Sequence, residues 1–290
     1  MKRENQLKVA FGKLFKNKMA TICFFVIILE FILIIGAPLF TSCDPNTTDI
    51  TIRLTPGFWA SSNPKYNLLH WLGTDEIGRD VWARILYGGR VSFAVGFTAT
   101  AVGLSLGTFL GLMAGYYKKL DNLIMRIMDV LFTFPSILLA LLIVAMLGVS
   151  TVNATLAISI WSVPSVCRMV RGRVLQIKEE EYIMAIRSLG AKDSYIILHH
   201  ILPNVLPTII VIGTMRIASA ILSIATLSYL GVGVPVPQAE WGGMISSAKM
   251  QMYNAPYLII IPGIFIIVTV ICFNILGDKL RDILDPSLKD

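Results

Sequence analysis

Residues 178–207 read K-E-E-E-Y-I-M-A-I-R-S-L-G-A-K-D-S-Y-I-I-L-H-H-I-L-P-N-V-L-P, from Lys178 to Pro207. The stretch is polar enough to lie in water, yet apolar segments of membrane quality flank it on both sides. Tyr182, Ala185, Ile186 and Leu189 recur at i, i+3, i+4 and i+7, which makes one apolar face of a helix. Gly190 is placed to stop that helix. Asp193 or Ser194 is placed to cap a second short helix running toward Pro203. Neither helix is long enough to hold its shape alone in water. The apolar face therefore needs a surface to rest on, in the chain's own spans or in a groove of another protein.

The rest of the chain sets the medium. Of its 290 residues 55% are hydrophobic, and the mean hydropathy is +0.72. That composition belongs to a polytopic membrane protein rather than a soluble domain. The net charge of +7 is sorted along the chain instead of gathered on one basic face, which argues against nucleic-acid binding. Cys23, Cys43, Cys167 and Cys272 are scattered with no C-x-x-C, so no disulfide framework follows. A basic start followed by an apolar run resembles a signal peptide, and L-F-T-S-C at 39–43 resembles a processing site. The run from Met19 to Phe40 is too long for that and more spans follow, so it reads as an uncleaved first span.

Six spans are expected, at about 19–40, 91–117, 127–147, 152–170, 205–230 and 257–275. Residues 1–18 are basic. Leu7, Phe11, Leu14 and Phe15 give them a weak helical stripe, suited either to lying on the inner leaflet or to a plain tail that sets topology. Residues 41–90 form a long polar loop with turns, and its G-x-x-x-x-G from Gly73 lacks the Lys-Ser/Thr of a phosphate loop. In the second span Gly103, Gly107, Gly111 and Gly115 recur every four residues, a small-residue stripe that lets another helix approach closely. Lys118, Lys119 and Arg126 mark a short basic loop. The third span holds Pro135, and the fourth is interrupted by Pro164 and limited in depth by Arg168. Residues 231–256 form a turn-rich outer segment, and a short polar tail closes the chain. Eighteen of the 25 lysines and arginines fall in the N-terminal segment, 118–126, 167–204 and the C-terminal tail. The positive-inside rule then puts both termini and the 178–203 stretch in the cytoplasm.

No catalytic set is present: H-E-x-x-H, G-x-S-x-G and Walker A are all missing. His199 and His200 are adjacent and point about 100° apart on a helix, unlike a chelating i, i+4 pair. No metal site is expected. Two charges lie inside spans. Glu30, near the middle of the first, reads as a structural pair or as part of transport chemistry. Arg216, mid-run in the fifth, reads either as a structural charge met by carbonyls, Glu30 or a partner chain, or as a lining residue that meets a substrate carboxylate. Ion-coupled transport would call for acidic relays and repeated halves, and no obvious repeat is present.

The 178–203 stretch resembles the cytoplasmic loop of binding-protein-dependent ABC importer permeases. Ala185, Gly190, Leu202 and Pro203 match that pattern in register, while Met184, Ile186 and His200 depart from it. L-G-T-D-E-I-G-R-D-V-W-A-R at 72–84, L-S-Y-L-G-V-G-V at 227–234, A-E-W-G-G-M at 239–244 and F-N-I-L-G-D-K-L-R-D-I-L-D-P at 273–286 resemble the second permease subunit of the peptide and nickel branch. An acid common in that branch near position 224 is replaced by Ile224, so its role does not carry over.

The resemblance implies an all-α, six-span, type I ABC importer permease fold. It divides the chain into a basic segment 1–18, a first span 19–40, an extracytoplasmic loop 41–87, a permease core 88–277 and a tail 278–290. It implies a non-catalytic pore subunit in a bacterial cell membrane that carries no cofactor, ATP being bound by partner subunits. The implied partners are a second permease, two ATPases and an external binding protein. The substrate implied is a di- or oligopeptide, with nickel or a metal chelate as the alternative. Tyr182, Ala185, Ile186, Leu189, Gly190, Leu202 and Pro203 are the implied ATPase-coupling residues.

Overall fold

The computed structural model describes residues 12 and 14–284; the Leu7 and Phe11 part of the N-terminal stripe lies outside the described residues. Among them the chain is helical, with one isolated bridge between Thr74 and Asp80. Helix α1 runs Lys18–Ile35, capped by the Asn17 side chain, and α2 is the short Ala37–Phe40. Residues 41–80 hold only single turns before α3, Val81–Tyr116. Then come α4 (Lys118–Thr133), α5 (Ser136–Leu147), α6 (Thr151–Lys178) and α7 (Glu181–Ser188). Helix α8 is continuous over Asp193–Tyr229. Helices α9 (Trp241–Ser247) and α10 (Tyr257–Leu284) complete the described residues.

Several boundaries differ from the sequence reading, each for a physical reason. Residues 118–126 are not a loop but the first half of α4, which is separated from α3 by Tyr117 alone. The expected third span is broken: α4 and α5 meet at 93°. Pro135 supplies no N–H, and Phe134 before it is extended (φ −85, ψ 131), as the residue ahead of a proline prefers. Helix α5, at 12 residues, rises only about 18 Å, too short for a hydrocarbon core of about 30 Å. The first part of the tail expected at 278–290 instead continues α10 to Leu284.

The count of six spans is not reached by length and hydropathy. Among the described residues four helices qualify, α1, α3, α8 and α10, and a fifth only if the bent α4–α5 pair is one span. The 28 residues of α6 are long enough, but Arg168, Arg171 and Arg173 leave its second half too polar.

The glycine stripe of α3 packs on α6. A Cβ at Gly107 would lie 2.6 Å from Val166 Cβ, and one at Gly115 would lie 2.6 Å from Val174 Cβ. Val166, Val170 and Val174 are fully buried there. Apolar surface gains little by leaving lipid, so this close approach is held mainly by dispersion between well-fitted backbones and side chains. Helix α8 lies against α3 and α10, and α10 against α1. On α1 the exposed residues Ile22, Phe25, Leu29 and Ile32 recur at helical spacing, a face that suits lipid.

The 41–80 loop is fastened rather than loose. Asp80 caps α3 through Ala83 N–H (2.6 Å) and bonds His70 Nδ1 (2.9 Å). Asp75 accepts from Ile77 N–H, Arg79 N–H and Arg79 Nε. Arg90 donates to the carbonyls of Ile34 and Ile35, closing the end of α1. Tyr257 O–H at the start of α10 reaches the carbonyls of Thr55 and Thr74. The motif at 72–84 is thus part of an anchoring device that holds neighbouring ends of α1, α3 and α10 together.

Candidate functional site

The 178–203 stretch folds as a helix, a turn and the start of a longer helix. Helix α7 is closed off two residues past its end by Gly190, whose φ of +83 is left-handed backbone that a glycine adopts without strain. Asp193 does not act as a cap: it is the first helical residue, and the N-cap, Lys192, makes no side-chain bond. The second helix does not stop near Pro203 but runs on into the fifth span. A π-helical turn at Ile197–Ile201 lets it do so, with Leu202 N–H donating to Ile197 O, five residues back. This wider turn accommodates a proline that brings no donor of its own.

The apolar face divides in two. Ile183, Ile196 and Ile201 are buried beneath the turn, and Ile186 and Leu202 pack partly against them. Tyr182 is 43% exposed and Leu189 is 87% exposed, and Ala185 is exposed between them. Ile183 lies about 100° round the helix from Tyr182, so one face rests on the chain itself and the next is left open. Sequence reading found the second face and missed Ile183; the I-x-x-I spacing of 183 and 186 was the available signal. Pro203 lies within the continuous helix, half-buried.

The turn is tied rigidly to the spans. Tyr116, the last residue of α3, donates its hydroxyl to Asp193 Oδ1 (2.6 Å), and Lys178 Nζ donates to Tyr116 O (2.9 Å). Arg171 of α6 grips Asp121 of α4 with two bonds (2.5 and 2.6 Å). Asn204 donates to the Tyr182 hydroxyl (3.0 Å) and to His200 O (2.7 Å). Partial burial, and then the Glu180 charge, pushes the Tyr182 phenol above its ordinary value. His199 stacks on Tyr195 (centroids 4.5 Å apart) instead of facing His200.

The two intramembrane charges do not pair with each other. Glu30 is buried and accepts from Thr269 Oγ1 of α10 (2.8 Å). Arg216 donates to Ser165 Oγ of α6 and lies over the Trp161 ring at 5.5 Å. At the end of the bundle that carries the 41–80 loop, Glu240 is almost fully buried; it accepts from Ser92 Oγ (3.1 Å) and caps α9 through Gly243 N–H. Trp241 Nε1 donates to Ile85 O (2.9 Å), so the E-W-G-G motif is an internal lock between α9 and α3. Cys43, His70 and Asp80 come within 4.8 Å of one another. Asp80 bonds Ala83 N–H and His70, which makes these two side chains part of the loop anchor. Burial, then the Asp80 charge, raises the Cys43 thiol.

Residues 103–290 match the family described as the binding-protein-dependent transport system inner membrane component. The chain belongs to this family. Residues 5–56 match the N-terminal membrane domain of oligopeptide transport permease C. The dipeptide transport system permease protein DppC of Alkalihalophilus pseudofirmus is 47% identical over 282 residues, 97% of this chain and 90% of that protein. The glutathione transport system permease protein GsiD of Pectobacterium atrosepticum is 48% identical over 221 residues, 76% of this chain and 73% of its own. The inward-facing MetNI methionine ABC transporter superposes with a TM-score of 0.59 at 20% identity, over 70% of this chain and 97% of the matched chain. That likeness concerns the fold, which is the type I importer permease fold. The chain is a membrane-embedded transport component, and α7 with the first turns of α8 lies within the matched residues.

Proposed function

We propose that this chain forms half of the pore of an ATP-driven importer of di- or oligopeptides. A second, similar permease supplies the other half. Two ATPases dock on the 178–203 helix-turn-helix, and a binding protein delivers substrate to the outer loops. Both termini face the cytoplasm of a bacterial cell. The chain transmits work and catalyses nothing itself. The relatives named above transport a dipeptide and glutathione, itself a small peptide, which favours peptides over nickel or a metal chelate.

One observation carries the coupling role. An apolar face of Tyr182, Ala185 and Leu189 stands open on a helix whose other face is locked to the spans. A helix presenting its apolar side to a groove is a recurrent recognition mode. Here the tie from Asp193 to Tyr116 passes any tilt of the turn directly to α3, and the continuity of α8 passes it to the fifth span. ATPase closure then becomes a rigid-body movement of the pore helices.

The test is a pair of variants, Leu189→Asp and Gly190→Asp, assembled with the partner subunits in vesicles. Both are expected to keep the chain in the membrane, lower uptake at least tenfold and weaken the dependence of ATP hydrolysis on loaded binding protein. Normal uptake by both variants at wild-type expression would refute the coupling assignment.

A further inference from the structure

Arg216 lies midway along the membrane part of α8, and its surroundings are incomplete. A guanidinium carries five N–H donors. Among the described residues its partners are one hydroxyl, Ser165 Oγ, and one ring face, Trp161. Glu30, the other charge deep in a span, is across the bundle with Thr269. An arginine at this depth with donors left over belongs beside water or a polar ligand rather than lipid.

The residues along the same face agree. Ser219, Ser223 and Thr226 follow Arg216 at i+3, i+7 and i+10, within about 80° of arc on the helix. All four are partly exposed. Each hydroxyl donates to a carbonyl of its own helix: Ser219 to Met215 O (3.3 Å), Ser223 to Ser219 O (2.7 Å) and Thr226 to Leu222 O (2.8 Å). With the hydroxyl protons so engaged, oxygen lone pairs remain on the open face. The line therefore offers cationic donors at one end and neutral acceptors along the rest. It extends about 15 Å from Arg216 to Thr226, the span of an extended peptide of roughly four residues.

We propose that Arg216 receives the carboxylate of the transported peptide in mid-membrane, with Ser219, Ser223 and Thr226 accepting from its N–H groups on the outer side. The inference rests on the reading of the chain as a peptide importer's pore subunit. It adds a specificity residue to that reading: free carboxylate peptides are recognised inside the permease, not only by the binding protein.

The experiment uses the full transporter with its ATPases and binding protein in proteoliposomes. Cys23, Cys43, Cys167 and Cys272 are replaced by serine or alanine, and Arg216→Cys is added to that background. Uptake of a radiolabelled dipeptide is measured before and after treatment with a cationic aminoethyl thiosulfonate or an anionic sulfonatoethyl one. The expected result is about a tenfold fall in uptake for Arg216→Cys, the scale of one charge-assisted bond. The cationic reagent then restores uptake several-fold and the anionic one does not. Undiminished uptake, equal effects of both reagents, or no reaction with either would overturn the proposal, the last pointing to a pocket sealed by the partner permease. In the native-cysteine background Arg216→Lys is expected to retain more uptake than Arg216→Gln; equal values would also overturn it. A wild-type transporter that imports no peptide would instead overturn the functional reading, while thiol labelling would still report whether position 216 meets water.

Discussion

Two glycines with left-handed backbone separate conformational from steric need. Gly190 and Gly78 have φ of +83 and +81. Around Gly190 a Cβ would meet nothing within 4 Å, whereas at Gly78 it would run into the backbone of Asp49. Gly190→Asn should therefore cost only the modest left-handed penalty, about 1 kcal/mol or less, because asparagine tolerates that region. Gly78→Ala bears the same backbone term and a clash with a fixed chain as well, and should cost roughly 2–4 kcal/mol. Thermal melts of the two purified variants check the order; a Gly190→Asn variant as unstable as Gly78→Ala would disprove it. Asp80 is a second single-residue hinge of the fold, since one carboxylate caps α3 and holds His70. Asp80→Ala is expected to lose about 2 kcal/mol, whereas Asp80→Asn keeps a capping oxygen and loses less. A melt in which the two variants coincide would show that the cap contributes little.

At the scale of elements, the sequence was read well where one residue decides the local backbone, and less well where register or tertiary contact decides. Gly190 ended α7 as its position required, and the every-fourth glycines of α3 pointed to a close helix contact. The partner, α6, was not in the pattern, because small residues state that something approaches and not what. Pro135 and Pro203 look alike in sequence yet act oppositely. The first breaks its helix at 93°; the second is passed by a π turn whose i−5 bond is invisible to a periodicity of 3.6. The buried side of α7 was missed because Ile183 is a single apolar residue flanking a more regular stripe. The loop anchor was legible only as turns: that Asp75 holds Arg79 and Asp80 holds His70 depends on a chain reversal, not on spacing. The α3–α6 contact itself is testable. Gly107→Leu forces side-chain atoms into Val166 and should lower stability by roughly 1–3 kcal/mol. Gly172→Leu, on α6 with nothing within 4 Å of its added Cβ, should not. Equal melting points for the two would remove the stripe's packing role.

For the whole molecule, the decisive question is which side of the membrane each end of the bundle faces, because every functional statement depends on it. The bundle has two polar ends. One carries the 41–80 loop, α9 and the Glu240 lock; the other carries α4, the base of α6 and the open face of α7. The second end holds the larger share of lysine and arginine, which the positive-inside rule places in the cytoplasm. It also holds the exposed Tyr182 and Leu189, which water alone would not favour. Both facts are met at once if a soluble partner covers that face from the cytoplasm. In a cysteine-free chain, Lys65→Cys should then react with a membrane-impermeant maleimide added to intact cells, and Leu189→Cys only after the membrane is opened. In opened membranes, restoring the ATPases should slow labelling at Leu189→Cys at least fivefold and leave Lys65→Cys unchanged. Labelling of Leu189→Cys from outside the intact cell would invert the topology. Labelling from inside at a rate indifferent to the ATPases would leave the topology standing and place the docking surface elsewhere on the same end.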